Sequence, residues 1–269
     1  MRSAITVCLV PEARSGPFVF HGDLASGCAR AAAAGFDAIE LFPGSAEEVD
    51  AHLLRRLLQQ HHLELAAMGT GAGWVRHKLS LTSPDGAVRL RAREFIASIV
   101  DLAGSFGAPA IMGSMQGRAE GEVDRDQALV WLSQAVEQLG PRAATLGASL
   151  FIEPLNRYET NLLNTVDQGI AFLEPLRTQA PRLLCDFFHM NIEETSIADS
   201  LRRAGSRVGH VHFADSNRRA IGLGHTDVTA PMAALREIGY TGYLSAEILP
   251  LPLADEAAAA ALAAFQRHA

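Results

Sequence analysis

Along the chain, short apolar runs alternate with longer stretches whose apolar residues recur every three or four positions. The runs are AITVCLV, DAIELF, LELAAMG, APAIMGS, ASLFIE, RLLCDF, VGHVHFA and YLSAEIL, each the length of a buried strand. Between them the spacing predicts helices from Asp23 to Gly35, from Ser45 to about Gln60, from Ser83-Pro84-Asp85 to Gly107 and from about Asp124 to Leu146. Further helices are expected near residues 164–178, 197–204, 229–238 and 254–267. Asp23 and Ser83-Pro84-Asp85 are helix-start signals, and Gly35, Gly107, Gly147 and Gly239 stand where a left-handed residue closes a helix.

Eight strand–helix units with short connections predict an α/β fold, a closed parallel (β/α)8 TIM barrel. An open doubly wound sheet would carry a glycine-rich phosphate loop after its first strand, and VPEARSGPFVF has none. No linker, low-complexity segment or charge block interrupts the pattern, so residues 1–269 are expected to form a single domain.

Composition narrows the function. At 269 residues the chain matches a barrel of roughly 250 and buries a core without disulfides. The formal net charge of −7 is the reverse of a nucleic-acid footprint, so no nucleic-acid partner is expected. The cysteines, Cys8, Cys28 and Cys185, are odd in number and lack a CxxC, as in a reduced, cytoplasmic protein. The apolar run at the N-terminus is too short for a signal-peptide core. No run approaches the roughly 18 residues of a membrane span, so no membrane partner is expected.

In such barrels the active site lies at the C-terminal ends of the strands. There ASLFIE ends in Glu153, RLLCDF carries Asp186, VGHVHFA carries His212 and YLSAEIL carries Glu247. Single carboxylates at strand ends usually cap the next helix or pair with a cation. Four ligand-type residues ending successive apolar strands are different, because buried carboxylates are costly without a compensating cation. Three oxygen ligands and one nitrogen suit Mn²⁺, Mg²⁺ or Co²⁺ better than a structural zinc site. Glu40, ending DAIELF, reads equally as a ligand-type residue or an ordinary strand-end carboxylate. His210 reads as a hydrogen-bonded core residue on the side away from His212. Glu159, His189 and Arg218 fall in expected loops just past strand ends, where substrate would lie.

The segments EPLNRYET, DFFHMNIEE, HVHFADSNR and the late SAE resemble the ketose 3-epimerases, the D-tagatose/D-psicose 3-epimerase group of the xylose-isomerase-like sugar phosphate isomerase/epimerase superfamily. The match is densest from about residue 149 to 250; AAAAGFDAIELF and LTSPDGAVRLRA fit the superfamily more loosely. The resemblance implies that Glu153, Asp186, His212 and Glu247 hold a divalent metal, Mn²⁺ first, and that Glu153 and Glu247 are the paired acid/base carboxylates. It implies that His189 and Arg218 hold the C1–C2 oxygens of the sugar and that Glu159 is a neighbouring substrate contact. It implies a homo-oligomer, dimer or tetramer. The chemistry suits these residue types. Epimerising C3 of a ketose removes a proton beside the C2 carbonyl, and the metal stabilises the enediolate. One carboxylate takes the proton and a second returns one to the other face.

The chain departs from the group in APAIMGSMQGR, which offers Ser114, Gln116 and Arg118 where an aromatic-bearing segment is expected. Arg118 reads equally as a binder of a substrate carboxylate or phosphate and as a surface ion-pair partner. RRAIGLGHTD has Ile221 in place of a proline, and TVCLVPEARSGPFVF differs from the group's first loop. The leading expectation is therefore a metal-dependent ketose epimerase or isomerase. Its alternative is a relative of the same superfamily acting on a keto-acid or 3-keto sugar: an aldose–ketose isomerase, a decarboxylase or an eliminating lyase. An abasic-site endonuclease is disfavoured by the acidic charge and carboxylate-rich set. A sugar-binding barrel without activity would need no opposed Glu153 and Glu247.

Overall fold

Eight parallel strands close on themselves: β1 (Arg2–Cys8), β2 (Ala38–Phe42), β3 (Glu64–Gly69), β4 (Ala110–Met112), β5 (Leu150–Ile152), β6 (Pro181–Asp186), β7 (Val208–His212) and β8 (Tyr243–Ala246). The computed structural model describes residues 1–269. Each strand pairs with the next in sequence, and β8 returns to β1 with Arg2 opposite Tyr243 and Ile5 opposite Ala246. The two-residue strand Phe20–His21 pairs in parallel with the C-terminal end of β1, Val7 opposite Phe20 and Cys8 opposite His21. This is the predicted (β/α)8 TIM barrel.

The helices are α1 (Leu24–Ala34), α2 (Ala51–His61), α3 (Ala72–His77), α4 (Gly86–Gly104), α5 (Arg125–Thr145), α6 (Val166–Leu173), α7 (Phe187–Glu193), α8 (Ile197–Ala204), α9 (Thr229–Glu237) and α10 (Ala254–His268). Asp23, Asp85 and Asp124 cap α1, α4 and α5 through their side chains. Gly35, Gly107, Gly147 and Gly239 all take positive φ, as the C-terminal signals predicted. Helix α2 starts later than Ser45 because Asp50, whose carboxylate accepts from Leu53 N at 2.9 Å, makes the cap. Helix α6 stops at Leu173 rather than near residue 178, since Pro175 has no N–H with which to extend the helical ladder.

Strand residues alternate between two cores. Ile39, Met68, Ile152, Leu183, Val211 and Leu244 face outward and pack with the helices. Ala67, Ile111, Phe151 and Leu184 form a separate cluster that fills the lumen. The strands are thus buried on both faces, which explains why they read as continuous apolar runs. Two residues further along the inward face come Gly69, Gly113, Glu153 and Asp186, so the polar layer sits directly above an apolar plug. The strand register slips between Ile39 and Glu40 and again between Leu183 and Leu184. In each case the extra residue lies on the following strand, Ala66 on β3 and Gly209 on β7.

Candidate active site and metal centre

The four strand-end residues converge. One ligand atom from each of Glu153, Asp186, His212 and Glu247 lies within 4.8 Å of the others. His212 Nδ1 is the hub, 3.4 Å from Glu153 Oε1 and 3.3 Å from both Asp186 Oδ2 and Glu247 Oε2. Asp186 and His212 are register partners at the ends of β6 and β7. Glu153 and Glu247 lie one residue beyond β5 and β8, so they flank the pair from opposite ends of the four-strand arc.

Asp186 does two jobs. Its Oδ1 accepts from Phe188 N at 2.8 Å and caps α7; its Oδ2 faces the cluster. One strand-end carboxylate thus serves as a helix cap and still presents an oxygen to the shared point. Helix α7 is also a correction, because it places His189 on its first turn rather than in a loop.

His189 is held by a residue that the sequence reading did not single out. Its Nδ1 faces the backbone N–H of Asn156 at 3.3 Å and the side-chain amide of Asn156 at 2.7 Å. A backbone N–H can only donate, so Nδ1 accepts and Nε2 carries the proton. Nε2 lies 3.4 Å from Arg218 Nη1, 3.6 Å from Asp186 Oδ2 and 3.8 Å from Glu153 Oε1. Burial pushes the His189 pKa down to about 4, so the ring is a neutral hydrogen-bond donor at neutral pH. Asn156 Nδ2 also donates to Glu159 Oε1 at 3.0 Å, which fixes the third expected contact on the cavity wall.

The direction of His210 corrects the sequence reading. Residues two apart in a strand share a face, so His210 points into the lumen with His212, one layer deeper. His210 is a buried, hydrogen-bonded core residue, stacked on Phe151. Its Nε2 meets Glu40 Oε2 at 2.7 Å, and His212 Nε2 meets Glu40 Oε1 at 3.1 Å. Burial raises the Glu40 pKa, but the two imidazoles outweigh it and hold the carboxyl ionised well below the usual range. An ionised carboxylate must accept both bonds. The far side of His212 is thereby fixed as Nε2–H, and Nδ1 is left facing three carboxylates.

Arg218 reaches the cluster from the loop after β7, where its backbone is left-handed at φ 58. A non-glycine residue held there is strained, and such positions concentrate at functional sites. Its guanidinium pairs with Asp186 Oδ2 at 2.7 Å and with Glu247, and lies over the Phe188 ring. Burial opposes the charge, but Asp186, Glu247, Glu153 and Glu159 raise the pKa and keep it. Asp215 organises this loop by accepting the backbone N–H groups of Ser216, Gly222, Gly224 and Thr226. A Cβ on Gly224 would come within 2.3 Å of Asp215 Oδ1, so the glycine belongs to the anchor.

The residues fit a divalent cation. Glu153 Oε1 is buried without a hydrogen-bond partner. Burial lifts the Glu153 pKa to about 7, with Glu247 and Asp186 adding to the rise against His212. Burial lowers the His212 pKa, yet Glu247, Glu40, Asp186 and Glu153 carry it well above the usual value. Even with the Arg218 guanidinium beside Asp186 and Glu247, three carboxylates and one imidazole aim their ligand atoms at one point. Three oxygens and one imidazole nitrogen suit a hard or borderline divalent ion.

Above the cluster opens a cavity of about 750 Å³. Glu153, Glu247, His212, His189, Glu159 and Arg218 line its inner end. Arg118 lines its outer wall and donates from Nη1 to Tyr158 O at 3.2 Å, without any ion pair. Ser114 also lines the cavity, whereas Gln116 is buried and donates to Glu153 O at 3.0 Å. All the expected site residues therefore border one space or the cluster beneath it.

Residues 28–268 match the family described as xylose isomerase-like TIM barrel. An L-ribulose 3-epimerase of Methylomonas sp. (strain DH-1) is 32% identical over 246 residues, 88% of this chain and 84% of that one. A D-psicose 3-epimerase of Agrobacterium fabrum is 32% identical over 86% of this chain and 78% of its own. The crystal structure of the Methylomonas sp. D-allulose 3-epimerase in complex with D-allulose superposes with a TM-score of 0.81 at 28% identity, covering 100% of this chain and 98% of that one. The chain belongs to the xylose isomerase-like TIM-barrel family, in its ketose 3-epimerase group.

Proposed function

We propose that the protein is a divalent-metal-dependent sugar epimerase that inverts C3 of a ketose. The observation that carries this reading is the pair Glu153 and Glu247, set on β5 and β8 to either side of the Asp186–His212 pair. The ketose 3-epimerase relatives support a ketose as substrate. When bound, the cation supplies positive charge where negative charge develops on the sugar oxygens.

In this reading one glutamate removes the C3 proton and the other delivers a proton to the opposite face. As metal ligands both glutamates would be ionised when free, so either can serve as the base and take up the proton transiently. The Nε2–H of His189 and the Arg218 guanidinium donate to the oxygens at C1 and C2, and Arg218 also offsets their growing charge. Glu159, braced by Asn156, accepts from a sugar hydroxyl, and Arg118 contacts the far end. The metal ligands are Glu153, Asp186, His212 and Glu247, with Mn²⁺ as the leading candidate and Mg²⁺ or Co²⁺ as substitutes. The same reading takes residues 1–269 as one catalytic domain, acting in the cytoplasm as a homodimer or homotetramer without nucleic acid. No helix is long and apolar enough to cross a membrane.

The test is proton exchange. Protein loaded with Mn²⁺ is incubated in D₂O with fructose, psicose, tagatose, sorbose and ribulose, and proton NMR follows the C3–H signal. Exchange at C3 with appearance of the epimer, lost in Glu247→Gln, is the expected result. Metal-bound protein that exchanges none of these would remove a free ketose as the substrate, and exchange of no phosphorylated or carboxylated ketose either would remove the assignment.

A further inference from the structure

The chain has 22 arginines and a single lysine, Lys78. That lysine lines the cavity, immediately after α3, with its backbone left-handed at φ 53. A helix-closing position of this kind favours glycine or asparagine, and a longer side chain costs backbone strain. Its Nζ sits 5.2 Å from the centroid of Trp74, another cavity-lining residue, and Lys78 has no ion-pair partner. An observed backbone outlier carrying the only lysine of the chain points to a use for that ammonium.

Arg118 stands on the same rim. The segment that follows Lys78 touches the segment that precedes Arg118: Leu81 N donates to Met115 O at 3.0 Å, and Thr82 Oγ1 donates to Arg118 O at 3.1 Å. Arg118 makes one backbone hydrogen bond and no ion pair, which leaves most of its five donors open. The third cation near this wall, Arg76, is occupied by Glu48 at 2.6 Å and Glu12 at 3.4 Å, so Glu12 is already paired. Glu120, exposed on the outer wall, is a lining carboxylate without an ion pair. Lys78 and Arg118 are thus the cations of this wall that no carboxylate engages, in a chain of net charge −7, with Glu120 the one unpaired carboxylate beside them.

The cavity is also larger than one ketose needs. Its volume of about 750 Å³ lies in the range that encloses drug-sized ligands, and a six-carbon sugar anchored at the inner end leaves the outer wall unfilled.

We infer that Lys78 and Arg118 form an anion subsite, and that the natural substrate is a ketose carrying a phosphate or carboxylate at the end remote from C1. This rests on the epimerase reading and specifies its substrate. The group would lie over Trp74, between an ammonium acting as a point charge and a guanidinium able to engage two oxygens at once.

The test compares kcat/KM of the metal-loaded protein for D-fructose, D-fructose 6-phosphate and D-fructuronate, the 6-carboxylate. We expect one anionic ketose to exceed D-fructose by tenfold or more, mainly through KM, and the better of the two names the anion. That preference is expected to fall at least fivefold in Lys78→Met and in Arg118→Met, to survive in Lys78→Arg, and to grow in Glu120→Gln. D-fructose used as well as either anion overturns the subsite and leaves the epimerase standing. So does a preference that both methionine variants retain. No C3 exchange with any of the three overturns the epimerase reading and this inference with it.

Discussion

The side-chain amide of Asn156 lies 2.7 Å from Nδ1 of His189, and the backbone N–H of the same residue faces that nitrogen at 3.3 Å. This pair decides which imidazole nitrogen offers a proton to the cavity. Asn156→Ala keeps the backbone donor but frees the ring and unbraces Glu159. Loss of such a supporting partner typically costs on the order of 10–100-fold, and that drop is expected in kcat/KM. Steady-state kinetics checks it; unchanged kinetics would show that the ring is oriented by something else.

The two glutamates are expected to fail differently from their neighbours. Glu153→Gln and Glu247→Gln each remove an acid/base group, for a loss in kcat on the order of 10²–10⁴-fold. Arg218→Met is expected to raise KM as well as lower kcat. Single-turnover NMR of C3 exchange separates these outcomes.

Cation binding should release protons. His212, held protonated by the surrounding carboxylates, must vacate Nδ1, and Glu153, with its pKa near 7, must be ionised. The ionised forms bind, so affinity is gained as pH rises and lost as it falls. We expect about one proton per Mn²⁺ just above pH 7 and about two below it, with affinity falling about tenfold per proton per pH unit. Calorimetry in two buffers of different ionisation enthalpy counts the protons. A pH-independent affinity would remove His212 from the ligand set.

Glu40 is not one of the four residues proposed as ligands, yet both of its oxygens are committed to imidazoles, one of them His212. In Glu40→Gln the amide offers only one acceptor, so one histidine loses its partner. Mn²⁺ affinity is expected to weaken on the order of 10–100-fold, as read by calorimetry, with the barrel still folded by circular dichroism.

A Cβ on Gly113 would lie 2.5 Å from Glu153 Oε2. Gly113→Ala is therefore expected to displace that carboxylate, weakening both Mn²⁺ binding and C3 exchange. Its effect should exceed that of Gly222→Ala, where an added Cβ would meet no atom within 4 Å, although that site has φ 92 and will lose some loop stability. Parallel melting curves and exchange rates distinguish the two.

Much of this is legible in the chain alone. The period of the apolar pattern separates strands from helices, and eight such units close a barrel. Carboxylates and a histidine at successive strand ends predict the cluster, because the strand period carries them onto the same inward face as the lumen residues below. The differences are local. His210 shares a face with His212 because two residues separate them, against the expectation that it points away. Helix α7 stands where a loop is expected, because its seven residues are too few to show a helical period. Asn156 and Asp215 escape notice because a polar residue in a loop carries no periodic signal.

The sequence by itself determined the element order, the closed topology and the residue types at the mouth, since these follow from near-neighbour spacing and from the cost of burying charge. Only the tertiary structure decided which nitrogen of each histidine is free. It alone set Glu40 against His210, 170 positions away, and Asn156 against His189, 33 away. It alone brought Lys78 and Arg118 to one rim. Those contacts depend on how the closed barrel aims each strand end, and chain spacing carries no information about angles between strands.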